Sequence, residues 1–384
     1  MYSLAEYGYM IGDRARFGAY AEAIARVVRP GDTVLDLGSG PGPMALLACR
    51  AGARRVYAIE MGDSLEMAKE LAAANGVADR IVFLSGDSRK MVLPERVRVI
   101  VSDIRGTLPF YDGAIASLED ARKRFLEPGG VLLPQRDTLQ AAIVEANTAY
   151  TQISGPWSSD MGGVNLLPGR EPLLHSTHGI DCKPEQLLSE PKSWAVLDYA
   201  NNPSTRAGAN LSFQILRPGT GHGICVWFDA ELCAGCGYSS GPHGPPESKA
   251  TIYGQIFLPW LFPVALVEGQ KVLVELHADL VGEDYVWRWN TTFKPVGAGE
   301  SVNFVQSSFW GAKFTKDALR RRAMDYVPVL SESGEADRWI MNAMDGKLTL
   351  EEIARACASK FPRQFSTVAE AQRRVSNLAE KFTR

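Results

Sequence analysis

The sequence lacks a long apolar run, an excess of charge of one sign and a dense set of cysteines. No apolar stretch approaches the roughly 18 residues that a membrane-spanning helix needs, and residues 1–9 contain neither the basic segment nor the apolar core of a secretory signal. A formal net charge of −3 provides no electrostatic footprint for nucleic acid or for an anionic membrane. Six cysteines among 384 residues are typical of reduced thiols. We therefore predict a cytoplasmic protein that binds neither nucleic acid nor a membrane.

The cysteine spacing contains a single CxxC motif, formed by Cys233 and Cys236. A structural zinc site needs four ligands, and the sequence offers no second CxxC and no nearby cluster of histidines to complete one. We therefore interpret the two cysteines as small residues of a strand and predict no metal site.

The pattern of apolar residues changes along the chain and predicts several domains, as the length of 384 residues also favours. Strand-like and helix-like segments alternate over residues 30–134, which is typical of a Rossmann-like, doubly wound parallel sheet of the α/β class. Period-two patterns with frequent Gly and Pro over residues 135–325 predict an antiparallel β domain. Residues 335–384 are predicted to form a small helical module.

The most informative stretch is an apolar strand that contains Asp36 and runs into Gly38, Gly40 and Gly42. Glycines after a buried strand let the backbone turn sharply and approach a ligand closely, and the following helix presents free N–H groups. The next strand ends at Glu60, whose carboxylate is placed to accept hydrogen bonds from a ribose. Because the dinucleotide fingerprint requires its third glycine three residues after the second, the spacing of two argues against it.

This glycine spacing resembles the first motif of methyltransferases that use S-adenosylmethionine, and we predict that cofactor. The alternative is a Rossmann-like scaffold whose pocket binds nothing. After the third strand, Asp87 and Ser88 lie where adenine is usually recognised, although a solvated loop aspartate is an equally good interpretation. Asp103 ends the fourth strand and faces the crevice where substrate meets cofactor.

Residues 7–295 resemble the protein arginine methyltransferases. The resemblance implies that residues 1–29 form a helical lid and that residues 135–325 form an antiparallel β-barrel-like domain. Six residues of the N-terminal segment fall at the family's spacing: Tyr7, Gly8, Met10, Asp13, Arg16 and Tyr20. The resemblance implies that Arg16 binds the carboxylate of S-adenosylmethionine and that Met10 lies near its sulfonium. The full predicted cofactor set is Met10, Arg16, Asp36, Gly38, Gly40, Gly42, Glu60, Asp87 and Ser88.

The segment 102–112 resembles the family's loop with two catalytic glutamates, but Asp103 and Asp112 replace both of them. Each replacement shortens the side chain by roughly 1.5 Å, which widens a clamp for a guanidinium group. Arg105 stands between them where the family usually has an apolar residue, and it can neutralise a carboxylate. The family's Thr-His-Trp motif falls at 251–253, where the histidine is missing. We hypothesise that Asp103 and Asp112 orient or deprotonate the substrate, and arginine remains one of several acceptors.

Two further segments suggest partners. Residues 157–180 are long enough for the family's dimerisation arm, which implies a homodimer. Residues 345–353 resemble the helical module of PqqD-like peptide chaperones, with a helical cap on the β domain as the alternative. The sequence thus predicts a methyltransferase that acts on a nitrogen or other nucleophile of a peptide or protein. The alternatives are a small-molecule methyltransferase of natural-product synthesis and a non-catalytic peptide-binding protein on the same scaffold.

Overall fold

A computed structural model describes residues 2–111, 113–158, 162–201, 204–243, 250–282, 284–295, 297, 299–312 and 315–383. The chain divides into two compact units, Met1–Lys313 and Phe314–Arg384. The division precedes the domain end that we predicted at residue 325. Within the described residues, the helices are too short or too polar to cross a bilayer.

A parallel sheet forms the first part of the larger unit. Its strands are β1 Thr33–Leu37, β2 Arg55–Glu60, β3 Ile81–Ser85, β4 Val97–Ser102 and β5 Leu126–Leu133. They pair in the order β3-β2-β1-β4-β5. The strand order reverses between β1 and β4, so the carboxyl ends of these two strands border the crevice in which such sheets bind ligands.

Five helices accompany this sheet within the described residues: α1 Leu4–Gly12, α2 Arg14–Val27, α3 Pro43–Arg50, α4 Ser64–Ala74 and α5 Ala114–Phe125. A capping box of Ser3 and Glu6 begins α1, which buries none of its residues. Asp13 caps α2, which buries Tyr20 and Ile24 completely. The first helix therefore lies on the surface, while the second is part of the core.

Antiparallel sheets follow, as we predicted. The strands are β6 Arg136–Val144, β7 His178–Ile180, β8 Lys192–Asp198, β9 Arg206–Gln214, β10 Gly219–Cys233, β11 Cys236–Ser239, β12 Gln255–Leu266, β13 Lys271–Val281, β14 Asp284–Phe293 and β15 Val302–Phe304. One sheet has the order β7-β12-β10-β6-β8 with β11 on β10, and the other has the order β15-β14-β13-β9. Two helices, α6 Asn147–Ser154 and α7 Arg170–Leu174, interrupt the strands. They have eight and five residues, too few for helical periodicity to identify them.

The smaller unit is helical. It contains α8 Lys316–Arg320, α9 Glu332–Ala343, α10 Leu350–Lys360 and α11 Val368–Phe382. Thr349 and Glu352 exchange side-chain and backbone hydrogen bonds at the start of α10 and form the capping box that their Thr-x-x-Glu spacing predicts. Ile340, Ile353 and Val375 lie in its apolar core. The predicted α/β class with parallel, antiparallel and helical parts is confirmed.

The CxxC motif closes a two-residue turn. Cys233 and Cys236 pair across β10 and β11, and both side chains are buried. Among the described residues, no three His, Cys, Asp or Glu side chains gather in a way that could hold a metal ion.

Candidate active site

The glycine loop after β1 is held in a conformation that side chains disfavour. Gly38, Gly40 and Gly42 have φ angles of 73°, 53° and 81°. A Cβ on Gly38 would lie 2.3 Å from Ile104 Cγ2, and one on Gly40 would lie 2.7 Å from Tyr7 Cε1. The loop is therefore packed between helix α1 and the segment that follows β4, and both close approaches require glycine.

Glu60 joins two loops at the carboxyl end of the sheet. Its Oε2 accepts a hydrogen bond from Gly40 N at 2.8 Å, and its Oε1 accepts one from Gly62 N at 2.8 Å. The side chain is half-buried, so it lies beside the glycine loop at the edge of the crevice. This is the position that we predicted for the ribose-binding carboxylate.

Asp36 faces the helix that follows the loop. Its Oδ2 accepts a hydrogen bond from Ala45 N at 2.9 Å, in the first turn of α3. Burial raises the pKa of Asp36 to about 7, although the bond from Ala45 acts in the opposite direction. Asp36 thus holds the first turn of helix α3 against β1 and helps to fix the conformation of the glycine loop between them.

Asp87 and Ser88 lie after β3, where we predicted an adenine site. The Asp87 carboxylate accepts hydrogen bonds from Arg89 N at 3.0 Å, from its Nε at 3.1 Å and from its Nη2 at 3.1 Å. These hydrogen bonds lower the pKa of Asp87. Ser88 is buried, and its carbonyl accepts a bond from Arg124 Nη2 at 2.6 Å. Both residues stabilise the turn between β3 and the next segment.

Arg16 connects the predicted cofactor site with the predicted catalytic residue. Its Nη1 donates to the Met10 carbonyl at 2.9 Å, and its Nε forms an ion pair with Asp103. Its backbone N–H is capped by Asp13 Oδ1 at 3.1 Å. The turn between α1 and α2 therefore places Arg16 directly against the end of β4.

Asp103 is enclosed by donors. Besides Arg16, Arg105 Nε donates to Oδ1 at 3.1 Å, and the Tyr253 hydroxyl lies 2.6 Å from both carboxylate oxygens. Burial alone would raise the pKa of Asp103, but the attraction of Arg16 and Arg105 and the Tyr253 hydrogen bond lower it. Burial and the Asp103 charge raise the pKa of Tyr253. Asp103 is thus ionised at neutral pH, and Tyr253 is a neutral donor.

A buried network behind Asp103 was missed by our sequence reasoning. Arg105 forms an ion pair with Asp137, and its Nη2 donates to the Tyr20 hydroxyl at 2.8 Å. The Tyr199 hydroxyl donates to Asp137 Oδ2 at 2.7 Å. Asp137 is the second residue of β6 and precedes the apolar run of that strand. A charged residue at this position is the sequence feature that could have indicated a buried ion pair.

Asp13 fixes the segment where the histidine is missing. Its Oδ2 accepts from Thr251 N at 2.7 Å and from Ile252 N at 2.9 Å. One buried carboxylate therefore caps α2 and holds the backbone before β12, which positions Tyr253 against Asp103. The other predicted catalytic residue, Asp112, lies outside the described residues.

The chain is similar in sequence to known methyltransferases. A family model described as the TRM5/TYW2 methyltransferase domain matches residues 15–122, which contain β1 to β4 and the glycine loop. The chain is 31% identical over 255 residues to "Probable protein arginine N-methyltransferase 6" of Arabidopsis thaliana, covering 63% of this chain and 56% of that protein. It is 28% identical over 275 residues to the arginine N(omega)-methyltransferase of Streptomyces achromogenes subsp. streptozoticus, covering 70% of this chain and 74% of that protein.

The fold is also shared with a solved structure. Protein arginine methyltransferase 10 of Arabidopsis thaliana superposes with a TM-score of 0.70 at 22% identity, over 79% of this chain and 97% of the other. The chain thus spans little more than half of the plant relative's length but nearly all of this structure. The predicted resemblance of the chain to methyltransferases of this type and the predicted fold class are confirmed, whereas the likeness of the C-terminal segment to PqqD-like proteins stays a prediction.

Proposed function

We propose that the chain is an S-adenosylmethionine-dependent methyltransferase of the protein arginine methyltransferase type, acting on a nitrogen nucleophile of a peptide or protein. The observation that carries the proposal is the Glu60 carboxylate, which lies against Gly40 N at the end of β2. In a parallel sheet, an acceptor at this edge beside a glycine loop suits a nucleoside ribose. The similarity to named methyltransferases supports the same conclusion.

The described residues fit the groups of this cofactor. Its ribose hydroxyls require an acceptor, which Glu60 provides, and its carboxylate requires a cation, which Arg16 provides. Arg16 uses Nε and Nη1 for its contacts, and Nη2 makes no hydrogen bond within the described part of the chain. In the glycine loop after β1, the buried Ser39 Oγ has no hydrogen-bond partner among the described residues. Both atoms are donors that a bound ligand would satisfy.

The cofactor supplies a methyl group activated by a sulfonium, so the chain itself must align the acceptor with that methyl and exclude water. Helix α1 covers the glycine loop through Tyr7, whose hydroxyl accepts a bond from Ser64 Oγ at 3.3 Å. Asp103 is a positioning residue in this proposal, because it holds Arg16 and the Tyr253 hydroxyl in place. Asp112 stays the predicted carboxylate that meets the acceptor.

We extend the proposal to the assembly and the location of the protein. The arm predicted at residues 157–180 contains exposed apolar side chains, Trp157, Val164 and Leu167, which support a homodimer contact. We keep the cytoplasmic location and the PqqD-like interpretation of the helical unit as parts of the proposal.

Titration calorimetry with S-adenosylmethionine and with its demethylated product tests the function. We expect the Glu60→Gln variant to bind both at least about tenfold more weakly, since a hydrogen bond to a charged group contributes about 1.5–3 kcal/mol. Glu66→Gln, on the exposed surface of α4, is the matched control and should bind normally. A wild-type chain that binds neither compound would contradict the proposal. A methyl-transfer assay with arginine, lysine and histidine peptides and with free arginine then identifies the acceptor.

A further inference from the structure

The Tyr253 hydroxyl lies where two charged side chains of the site meet. It donates to the Asp103 carboxylate, 2.6 Å from both oxygens, and it accepts a longer hydrogen bond from Arg16 Nε at 3.3 Å. The resemblance to the arginine methyltransferases places a tryptophan at this position, and a tryptophan has no hydroxyl. This chain therefore brings to Asp103 and Arg16 a hydroxyl group that the resemblance does not predict.

Asp103 obtains its hydrogen bonds from three side chains. Arg16 Nε donates to Oδ2, Arg105 Nε donates to Oδ1 at 3.1 Å, and the Tyr253 hydroxyl lies against both oxygens. Only 8% of the Asp103 side chain is exposed, so water cannot readily replace a donor that is lost. Without the Tyr253 hydroxyl, this carboxylate would need a substitute donor from a neighbouring side chain.

Arg105 cannot supply that substitute, because all three of its nitrogens have partners. Its Nε donates to Asp103, its Nη1 is paired with Asp137, and its Nη2 donates to the Tyr20 hydroxyl at 2.8 Å. The side chain is buried with these partners, so moving one nitrogen to a new acceptor would leave an old partner unsatisfied. Arg105 therefore keeps its contacts whether or not Tyr253 has a hydroxyl.

Arg16 has a suitable donor in Nη2. Its Nη1 donates to the Met10 carbonyl at 2.9 Å, and Nη2 makes no hydrogen bond within the described part of the chain. Nε and Nη2 lie on the same edge of the planar guanidinium, and a carboxylate can accept from both at once. Asp103 already accepts from Nε, so a shift along this edge would bring its carboxylate to Nη2 as well. The Asp13 carboxylate does not compete, because it accepts from backbone N–H groups instead.

The same nitrogen is the donor that we assign to the carboxylate of the cofactor. We propose that Tyr253 is a positioning residue for S-adenosylmethionine, because its hydroxyl satisfies Asp103 and thereby leaves Arg16 Nη2 available to the cofactor. Without this hydroxyl, the Asp103 carboxylate and the cofactor carboxylate compete for one edge of the guanidinium. The inference rests on the proposed methyltransferase function and concerns cofactor binding, whatever the methyl acceptor is.

Titration calorimetry with two ligands tests the proposal. S-adenosylhomocysteine carries the amino-acid carboxylate, whereas 5′-methylthioadenosine keeps the nucleoside and the thioether but lacks that carboxylate. In the full chain, Tyr253→Phe should weaken the binding of S-adenosylhomocysteine at least about fivefold. The affinity for 5′-methylthioadenosine should stay within about twofold of the wild type's. A purely structural role of Tyr253 would weaken both ligands alike, and this result, or unchanged binding of both, would overturn the proposal.

Tyr57→Phe is the matched control. The Tyr57 hydroxyl also donates to a carboxylate, at 3.0 Å from Glu95 Oε1, and Glu95 in turn is paired with Arg54. The substitution thus removes a comparable hydrogen bond outside the site. Both ligands should bind this variant as they bind the wild type.

An Arg16→Gln background shows whether the hydroxyl acts through the guanidinium. Because this background has no guanidinium edge, Tyr253→Phe should change the ratio of the two affinities by no more than about twofold there. An effect as large as in the wild-type background would overturn the proposal. If Tyr253→Phe fails to fold, Tyr253→Met, which also lacks the hydroxyl, replaces it in both measurements. Failure of the proposed function is separate, because the wild type would then bind neither ligand.

Discussion

Removing the Asp137 carboxylate should destabilise the larger unit strongly. Asp137 has no exposed side-chain surface, and it is the partner of both Arg105 and Tyr199. In an Asp137→Ala variant, the buried Arg105 guanidinium keeps its bond to Asp103 but loses its second counter-ion. Breaking a buried ion pair from one side costs about 3–5 kcal/mol, because the remaining charge stays desolvated. The unpaired Tyr199 hydroxyl adds to this cost.

Urea unfolding followed by tryptophan fluorescence measures the effect. We expect the free energy of unfolding of Asp137→Ala to fall by about 3–5 kcal/mol. Tyr199→Phe, which removes one hydrogen bond to the charged carboxylate, should lose about 1.5–3 kcal/mol. The control Glu66→Ala breaks an exposed pair with Lys69 and should leave the unfolding midpoint unchanged. A loss smaller than about 1 kcal/mol for Asp137→Ala would refute the argument that this pair is buried and coupled.

Two further predictions concern the glycine loop. Because the pKa of Asp36 is raised to about 7 in the folded state, the unfolded chain loses this proton first, and stability should fall as the pH rises through about 4 to 7. Asp36→Asn keeps an acceptor for Ala45 N, so its free energy of unfolding in urea should exceed the wild type's at about pH 8. This difference in free energy should be smaller by about 2–4 kcal/mol at about pH 5. An equal difference at both pH values would contradict the raised pKa of Asp36. Gly40→Ala and Gly76→Ala both place Cβ at positive φ, which should cost about 1 kcal/mol at Gly76, where the space is open, and more at Gly40, where Cβ would lie 2.7 Å from Tyr7 Cε1. Because that Cβ would displace Tyr7 from the glycine loop, Gly40→Ala should also weaken calorimetric binding of S-adenosylmethionine, whereas Gly76→Ala should not. Equal binding by both variants would contradict the proposed role of this loop in binding the cofactor.

Several features followed from local sequence because their causes are local. The glycine spacing after β1 predicted the left-handed turns, and Thr349 with Glu352 predicted the start of α10. Element ends were less predictable. The apolar run at 131–133 marks only the end of the last strand of the parallel sheet, whereas β5 begins at Leu126, because Leu126 pairs with Val97 of β4. That pairing is a property of the neighbouring strand and not of residues 126–130 themselves.

The sequence by itself determined the order of domains, the place of the glycine loop and the positions of Glu60 and Asp103 at strand ends. These features depend on backbone conformation and on the spacing of apolar residues, which are set by near neighbours in the sequence. The tertiary structure decided what these side chains touch. Asp103 meets Tyr253, 150 positions away, and Asp13 holds the backbone of Thr251 across 238 positions. Whether a carboxylate is open to a substrate or enclosed by donors depends on such distant partners, since desolvation and pairing are set by the folded environment and not by the residue.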